Sequence, residues 1–255
     1  LKIPHRKVCR FDSGPGHHRY LAVDMGKKTP LSSTGGTLNA MPQRSRRTVR
    51  PLPALLWLTL ALGAGPAVAA PDCTVALWGD SILYGGFGAS TTNRIKEPPA
   101  AALKRIRPAW TVADYSSPGD SAHKRLPSFV LQPMPARVVV LQYGINDAGN
   151  GYQYEPALRG MVDYVQAAGK TSIVTGLSQV KADRLPQRDG YDATARRVAQ
   201  EEGVLFADWG AARFDATDMV DDIHPRQPYS TRLVERLVLA LDQVAPECAP
   251  PARQG

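Results

Sequence analysis

The sequence predicts an α/β domain, a three-layer α/β/α sandwich built around a five-stranded, flavodoxin-like parallel sheet. Two observations carry this prediction. Short continuous apolar runs, typical of strands buried on both faces, alternate with segments in which apolar residues recur at helical spacing. Strands separated by helices pair in parallel, because each helical crossover returns the chain to the same end of the sheet.

Five apolar segments have the length and composition of buried strands. They are Thr74–Trp78, Thr111–Tyr115, Arg137–Gln142, Thr171–Thr175 and Val204–Ala207. The helical segments lie between and after them. Apolar residues from Leu158 to Ala168 recur at helical spacing, and Gly169 is predicted to end that helix. A second helix is predicted over Tyr191–Glu202, before Gly203, and a last helix from a Ser230 cap through Leu241.

The N-terminal part of the chain differs from the rest in charge. The whole sequence carries a formal net charge of +8, with 31 Lys and Arg against 23 Asp and Glu. Residues 1–70 hold 11 of the basic residues and 2 acidic ones, whereas residues 71–255 hold 20 and 21. The basic character therefore belongs to the first 70 residues, and it predicts no nucleic-acid partner for the remainder.

Residues 41–70 have the three parts of a bacterial signal peptide. Four arginines precede a short uncharged apolar stretch, and small residues suited to a signal peptidase follow. The apolar stretch is shorter than the ~20 residues of a spanning helix, so we expect no stable membrane anchor after cleavage. Residues 1–40 are predicted to be unstructured upstream or vector-encoded sequence. The expected localisation is periplasmic or extracellular, with the export route left open.

Residues 71–255 fit one domain, with Cys73 and Cys248 near its two ends. In an oxidising compartment such a pair predicts a disulfide joining the termini, and two free thiols are the alternative. This part of the chain has only two histidines, His123 and His224. No Cys/His cluster has the spacing of metal ligands, so no metal site is predicted.

Polar residues follow the predicted strands at the edge where parallel sheets bind ligands. Ser81 lies in a Gly-Asp-Ser-Ile turn after the first strand, Gly119 follows the second, and Asn146 follows the third. Asp221 and His224 fall in the long segment before the last helix. The glycines after Ser81 match neither G-x-G-x-x-G nor G-x-x-x-x-G-K-[ST], so we exclude a phosphate-binding loop.

These segments, taken in order, resemble the four sequence blocks of the SGNH hydrolases, the GDSL-type esterases and lipases. The blocks are Gly79-Asp80-Ser81-Ile82 with Gly85, then Gly119, then Gly144-Ile145-Asn146-Asp147, then Asp221 to His224 with Pro225. The resemblance covers nearly all of residues 71–255 and is strongest to the small secreted bacterial members. Ile82 and Asp222 depart from the family pattern, where leucine and glycine are frequent.

The resemblance implies that Ser81 is the nucleophile, His224 the base and Asp221 the acid that orients it. It also implies an oxyanion hole formed by the backbone N–H groups of Ser81 and Gly119 and the side-chain amide of Asn146. A turn serine, a loop asparagine and a surface histidine are the alternatives for Ser81, Asn146 and His224.

The residues themselves support this chemistry. A serine hydroxyl needs a base to become an effective nucleophile, and a neutral histidine supplies one near pH 7. An aspartate three residues before His224 can lie on the same side of a turn, whereas Asp222 should point elsewhere and Asp218 is more distant. His123 is predicted to be a solvated helix residue, and Asp80 is predicted, like Asp147, to stabilise a turn.

The sequence thus predicts an exported serine esterase, of carboxylesterase or arylesterase type, that acts through an acyl-enzyme intermediate. The expected partner is a small-molecule or lipid ester with a short to medium acyl chain, and no cofactor is expected because an oxyanion needs only preorganised donors. A lysophospholipase or thioesterase and a carbohydrate O-acetylesterase are alternatives within the same class. A catalytically silent binding domain is the alternative from another class.

Overall fold

The computed structural model describes residues 70–181 and 183–250. Its five strands are β1 (Thr74–Gly79), β2 (Thr111–Asp114), β3 (Val138–Gln142), β4 (Thr171–Thr175) and β5 (Leu205–Ala207). They form one sheet in the order β2-β1-β3-β4-β5, and all neighbouring strands are parallel. The predicted fold class is confirmed, and every predicted strand is present with bounds that differ by at most one residue.

Seven α-helices connect or follow these strands in the described part of the chain. They are α1 (Ser81–Tyr84), α2 (Pro99–Ile106), α3 (Ala122–Phe129), α4 (Ile145–Asn150), α5 (Tyr154–Ala167), α6 (Arg188–Glu201) and α7 (Gln227–Val244). Helix α2 packs on α7, while α3 packs on α5 and α5 on α6, which gives the two helical layers of the sandwich. The central strand β3 lies between these layers, and all five of its residues are buried.

Two helix starts differ from the sequence prediction. Helix α7 begins at Gln227, with a proline in its first turn, so the prediction that Ser230 caps this helix is wrong. Ser230 is buried inside the helix, and its N–H donates to the carbonyl of Arg226. Helix α6 begins at Arg188 rather than Tyr191. The predicted stop at Gly169 agrees with its φ of +69°, a conformation that glycine adopts without strain.

The structure contains the predicted disulfide between Cys73 and Cys248, whose Cα atoms lie 5.7 Å apart. It joins the residue before β1 to the short 3₁₀ turn after α7 (Pro246–Cys248). The signal-peptide and upstream-sequence predictions fall outside the described residues. None of the helices among the described residues combines the length and the apolar character of a membrane-spanning segment.

Candidate active site

Ser81 lies two residues beyond the end of β1, on the first turn that follows this strand. Asp80 is the N-cap of α1, and its carboxylate accepts the N–H of Ile82 at 2.8 Å. Gly85 ends this one-turn helix with a φ of +77°, in the left-handed region that favours glycine. The turn therefore holds the Ser81 hydroxyl at the carboxyl edge of the sheet.

His224 reaches Ser81 from a distant part of the sequence. Its Nε2 lies 2.9 Å from Ser81 Oγ, and its Nδ1 lies 2.8 Å from Asp221 Oδ2. The backbone N–H of His224 also donates to Asp221 Oδ1 at 2.8 Å. Because a carboxylate can only accept, Nδ1 must donate to it, which leaves the lone pair of Nε2 directed at the serine hydroxyl in the neutral ring.

Asp221 is held in its ionised form by several donors. Partial burial alone would raise the pKa of Asp221, but the N–H groups of Ile223 and His224 and the His224 ring together lower it to about 2. Gly88 adds a fourth donor, since its N–H lies 3.1 Å from Asp221 Oδ2. This last contact ties the segment after α1 to the loop that carries His224.

The two alternative acids are engaged elsewhere. Asp222 is exposed and lies 3.8 Å from both Lys181 Nζ and Arg184 Nε. Asp218 forms an ion pair with Arg232. Among the three aspartates considered from the sequence, the structure places Asp221 in hydrogen-bond contact with the His224 ring.

A cavity of about 270 Å³ opens beside the Ser81 hydroxyl, and Gly119, Asn146 and His224 are among its lining residues. Gly119 has a φ of +78°, and a Cβ atom there would meet nothing within 4 Å, so backbone conformation is what favours glycine at this position. Asn146 Nδ2 donates to the carbonyl of Asp120 at 2.8 Å, which leaves its second amide hydrogen free for another acceptor. The structure thus places Ser81, Gly119, Asn146 and His224 around one cavity, and Asp221 contacts the His224 ring from outside it.

Asp147 makes contacts that sequence reasoning missed. It is fully buried, and its two carboxylate oxygens accept the N–H groups of Ala122 and His123 at 3.1 and 3.0 Å. Together with the bond from Asn146 to Asp120, these contacts fasten the start of α4 to the segment that carries Gly119. Asp147 was predicted to stabilise a turn, but its partners lie 24 and 25 residues upstream, which no local sequence signal indicates.

Replacing Asp147 by asparagine is expected to lower the free energy of unfolding by about 1–3 kcal/mol. The amide presents one acceptor oxygen instead of two, so either the N–H of Ala122 or that of His123 loses its partner. Urea unfolding measures the change, and Asp163→Asn on the exposed face of α5 is the matched control. Equal stability of the two variants would contradict a fastening role for Asp147.

Asp80 is a buried carboxyl group beneath the nucleophile. Burial raises its pKa from 3.8 to about 7, against the opposing effects of the Ile82 N–H and the Gln142 side chain. One carboxylate oxygen caps α1, as predicted, while Oδ2 has no hydrogen-bond partner among the described residues. The neutral acid is therefore the favoured form of Asp80 at mildly acidic pH.

This raised pKa predicts a pH-dependent stability. Between pH 3.8 and about 7 the folded protein keeps a proton on Asp80 that the unfolded chain releases, so stability falls as pH rises through this window. Asp80→Asn keeps the acceptor for Ile82 but cannot ionise, so its stability relative to the parent protein should be greater at pH 8 than at pH 5. Urea unfolding at both pH values measures this difference. The prediction fails if the difference is the same at pH 5 and pH 8.

His123 and Trp78 lie away from the proposed chemistry. His123 is exposed on α3, where its ring stacks on Tyr152 with centroids 5.0 Å apart. Trp78 is buried and packs against Tyr115 and Phe129. Neither lines the cavity beside Ser81.

The parallel sheet, with a serine, a histidine and an aspartate in contact at its carboxyl edge, has the architecture of a hydrolase. A family model described as GDSL-like lipase/acylhydrolase matches residues 77–228, and the chain belongs to this family. The resemblance drawn from the four sequence blocks is thereby confirmed. No curated protein matches the sequence.

Solved structures share the fold at low sequence identity. TesA is 23% identical with a TM-score of 0.54, and the match covers 67% of this chain and 99% of TesA. Axe2, an acetylxylan esterase from Geobacillus stearothermophilus, is 17% identical with a TM-score of 0.52, over 66% and 93% of the two chains. The psychrotrophic esterase EstA from Pseudoalteromonas sp., in a form inhibited by monoethylphosphonate, is 14% identical with a TM-score of 0.55, over 69% and 100%.

Proposed function

We propose that this protein is an exported serine esterase that hydrolyses carboxylic esters through an acyl-enzyme intermediate. One observation carries the proposal: the chain of contacts from Ser81 Oγ to His224 Nε2 at 2.9 Å and from His224 Nδ1 to Asp221 at 2.8 Å. This is the arrangement that a serine hydroxyl needs for activation by a neutral base. The disulfide between Cys73 and Cys248 supports export, because such bonds persist in oxidising compartments.

The proposed reaction has two stages. Ser81 Oγ attacks the ester carbonyl carbon while its proton passes to His224 Nε2, and the protonated ring then gives that proton to the departing alkoxide as the carbon–oxygen bond breaks. In the second stage His224 takes a proton from water, the hydroxide attacks the acyl-enzyme, and Ser81 leaves with that proton. The ionised Asp221 stabilises the imidazolium in both stages.

The proposed oxyanion hole comprises the N–H groups of Ser81 and Gly119 and the free amide hydrogen of Asn146. The last two lie on separate segments that are joined by the bond from Asn146 to Asp120 and by the contacts of Asp147. Donors that are already fixed before reaction stabilise the developing charge without reorganisation. No metal or cofactor is needed for this chemistry.

The cavity beside Ser81 favours short acyl groups within the proposed short to medium range. Its volume is about 270 Å³. Apart from the proposed catalytic residues, its lining residues are small or polar and include no large aliphatic or aromatic side chain: Gly88, Ala89, Ser90, Thr91 and Pro118. An alkyl chain of many carbons would find little apolar surface there.

The same cavity supports a carbohydrate O-acetylesterase as the second candidate function, since acetyl is the smallest of the acyl groups considered. Axe2, which shares the fold, is an acetylxylan esterase. The small, polar lining gives less support to a lysophospholipase or a long-chain thioesterase. Aryl esters from acetate to decanoate, assayed beside an acetylated glycan, separate these candidates, and a preference for decanoate would contradict the short-acyl proposal.

A serine-directed organophosphate tests the enzyme class directly. We expect one covalent adduct on Ser81, located by peptide mass spectrometry, and no adduct in the Ser81→Ala variant. Absence of both labelling and ester hydrolysis in the folded protein would favour a silent binding domain.

The N-terminal sequence of protein recovered from the periplasm or medium tests the proposed signal peptide, because export with residues 41–70 still attached would contradict it.

Activity should rise from acid toward neutral pH, because His224 must be neutral to accept the serine proton. Asp221, with its pKa of about 2, stays ionised across this range and contributes no change. Measurement of kcat/KM with phenyl acetate gives the profile. The increase in kcat/KM with pH should persist in the Asp80→Asn variant, which lacks the other carboxyl group proposed to change charge between mildly acidic and neutral pH. A flat profile would contradict a histidine base.

A further inference from the structure

A second cleft, of about 590 Å³, lies between the segment that follows α1 and the segment that enters α7. It shares no lining residue with the cavity beside Ser81. Four of its lining side chains are apolar and three are basic: Phe87, Ile95, Val220 and Pro228, then Arg94, Lys96 and Arg226. Its volume and mixed lining are those of a small-molecule site, in which apolar walls are combined with a few polar groups.

The charged residues that line this cleft are all basic. Arg94 is neutralised by Asp114, at 2.9 Å. Lys96 and Arg226 have no carboxylate within 4.0 Å in the part of the chain that the structure describes. Two cations therefore remain available beside apolar surface, which favours a ligand that carries negative charge.

The walls of the cleft are held in place before any ligand binds. The Gln227 side chain accepts the N–H of Glu97 and donates to its carbonyl, both at 2.9 Å. The N–H of Ile95 donates to the carbonyl of Gly85 at 2.9 Å, and Arg226 Nε donates to the carbonyl of Met219 at 3.0 Å. A preformed site of this kind loses little conformational entropy on binding.

We propose that this cleft binds a single-chain organic anion. The anionic group would contact Lys96 and Arg226, and the alkyl chain would cover the apolar side chains that line the same cleft. An alkyl chain gives these side chains an apolar partner, while the charge distinguishes the ligand from a neutral lipid. Anion binding in this cleft does not require ester hydrolysis, so it can be tested independently of the function proposed for Ser81.

The cleft is also adjacent to the contacts that hold the candidate catalytic residues. Phe87 precedes Gly88, whose N–H donates to Asp221. Val220 precedes Asp221, and its own N–H donates to the carbonyl of His224 at 2.8 Å. A ligand against Phe87 and Val220 would restrain both segments, so its binding should alter turnover without excluding an ester from the cavity.

Isothermal titration calorimetry of the Ser81→Ala variant with decanoate, below its micelle concentration, tests the binding site. We expect decanoate to bind more tightly than both acetate, which has the charge alone, and decanol, which has the chain alone. Lys96→Ala and Arg226→Ala should each weaken decanoate binding about fivefold. Lys104→Ala, an exposed lysine of α2 outside the cleft, should leave the affinity unchanged.

Three results would overturn the proposal: no decanoate binding, equal affinity for decanol, or an affinity that neither Lys96→Ala nor Arg226→Ala changes. Steady-state kinetics of the unmodified protein with phenyl acetate add a fourth test. Decanoate should change kcat and leave KM for phenyl acetate unchanged, with the effect weakened in Lys96→Ala. Competitive inhibition that Lys96→Ala leaves intact would instead place decanoate in the cavity beside Ser81.

Discussion

Ser81→Ala is expected to lower kcat for phenyl acetate by about 10⁴-fold or more. The substitution removes the oxygen that lies 2.9 Å from His224 Nε2 and leaves the base with no nucleophile to activate. The cavity and its proposed oxyanion donors remain, so KM should change much less than kcat. Initial rates over a range of substrate concentrations, with correction for spontaneous hydrolysis, measure both constants.

Two further variants separate loss of the nucleophile from a general disturbance of the site. Ser90→Ala removes a hydroxyl group that lines the same cavity but bonds to Thr92, so its kcat should stay near that of the parent protein. His224→Ala combined with Ser81→Ala should be no slower than Ser81→Ala alone, because residues that act as one unit are not additive. Full activity of Ser81→Ala would remove the proposed mechanism.

Asn146→Ala is expected to reduce kcat by about 10²- to 10³-fold, the usual loss when one oxyanion donor is removed. The substitution also removes the hydrogen bond to the carbonyl of Asp120, so part of the effect comes from a less well fixed segment around Gly119. Asn146→Asp keeps the size of the side chain but has no amide hydrogen, so its kcat should be no higher than that of Asn146→Ala. Determination of kcat and KM for both variants measures the loss.

The split between the kinetic constants identifies the role of Asn146. A donor that acts on the oxyanion alone lowers kcat and kcat/KM together and leaves KM nearly constant. Asn93→Ala, an exposed asparagine outside the cavity, is the control and should have parental kinetics. If Asn146→Asp retained parental turnover, the amide would have no part in the chemistry.

The sheet could be predicted from sequence because its central strands are buried on both faces. All five residues of β3 are buried, and the first four, Val138 to Leu141, form the continuous apolar run that is typical of such a strand. The candidate site followed from the sheet, since residues directly after parallel strands gather at one edge. Ser81 and Asn146 could therefore be placed at one edge of the sheet, whereas their proximity to His224, which follows no strand directly, is what the resemblance of the four sequence blocks implies.

Other features depend on contacts between distant segments and leave no periodic signal. Helix α1 has a single turn, too short for an apolar repeat to be seen. The start of α7 is fixed by Gln227, which binds Glu97 on a segment 130 residues earlier, so a local cap at Ser230 was the wrong choice. The contacts of Asp147 and the cleft beside Val220 likewise exist only after the chain has folded.

The disulfide has a practical consequence for handling the protein. Cys73 precedes β1, whereas Ser81 follows the same strand, so the bridge and the candidate site lie at opposite ends of a strand about 20 Å long. Both Pro71 and Pro250 are exposed close to the bridge. Immobilisation on a bead or electrode through either residue would leave the cavity beside Ser81 facing the solvent. The disulfide would carry part of any mechanical force at the attachment point.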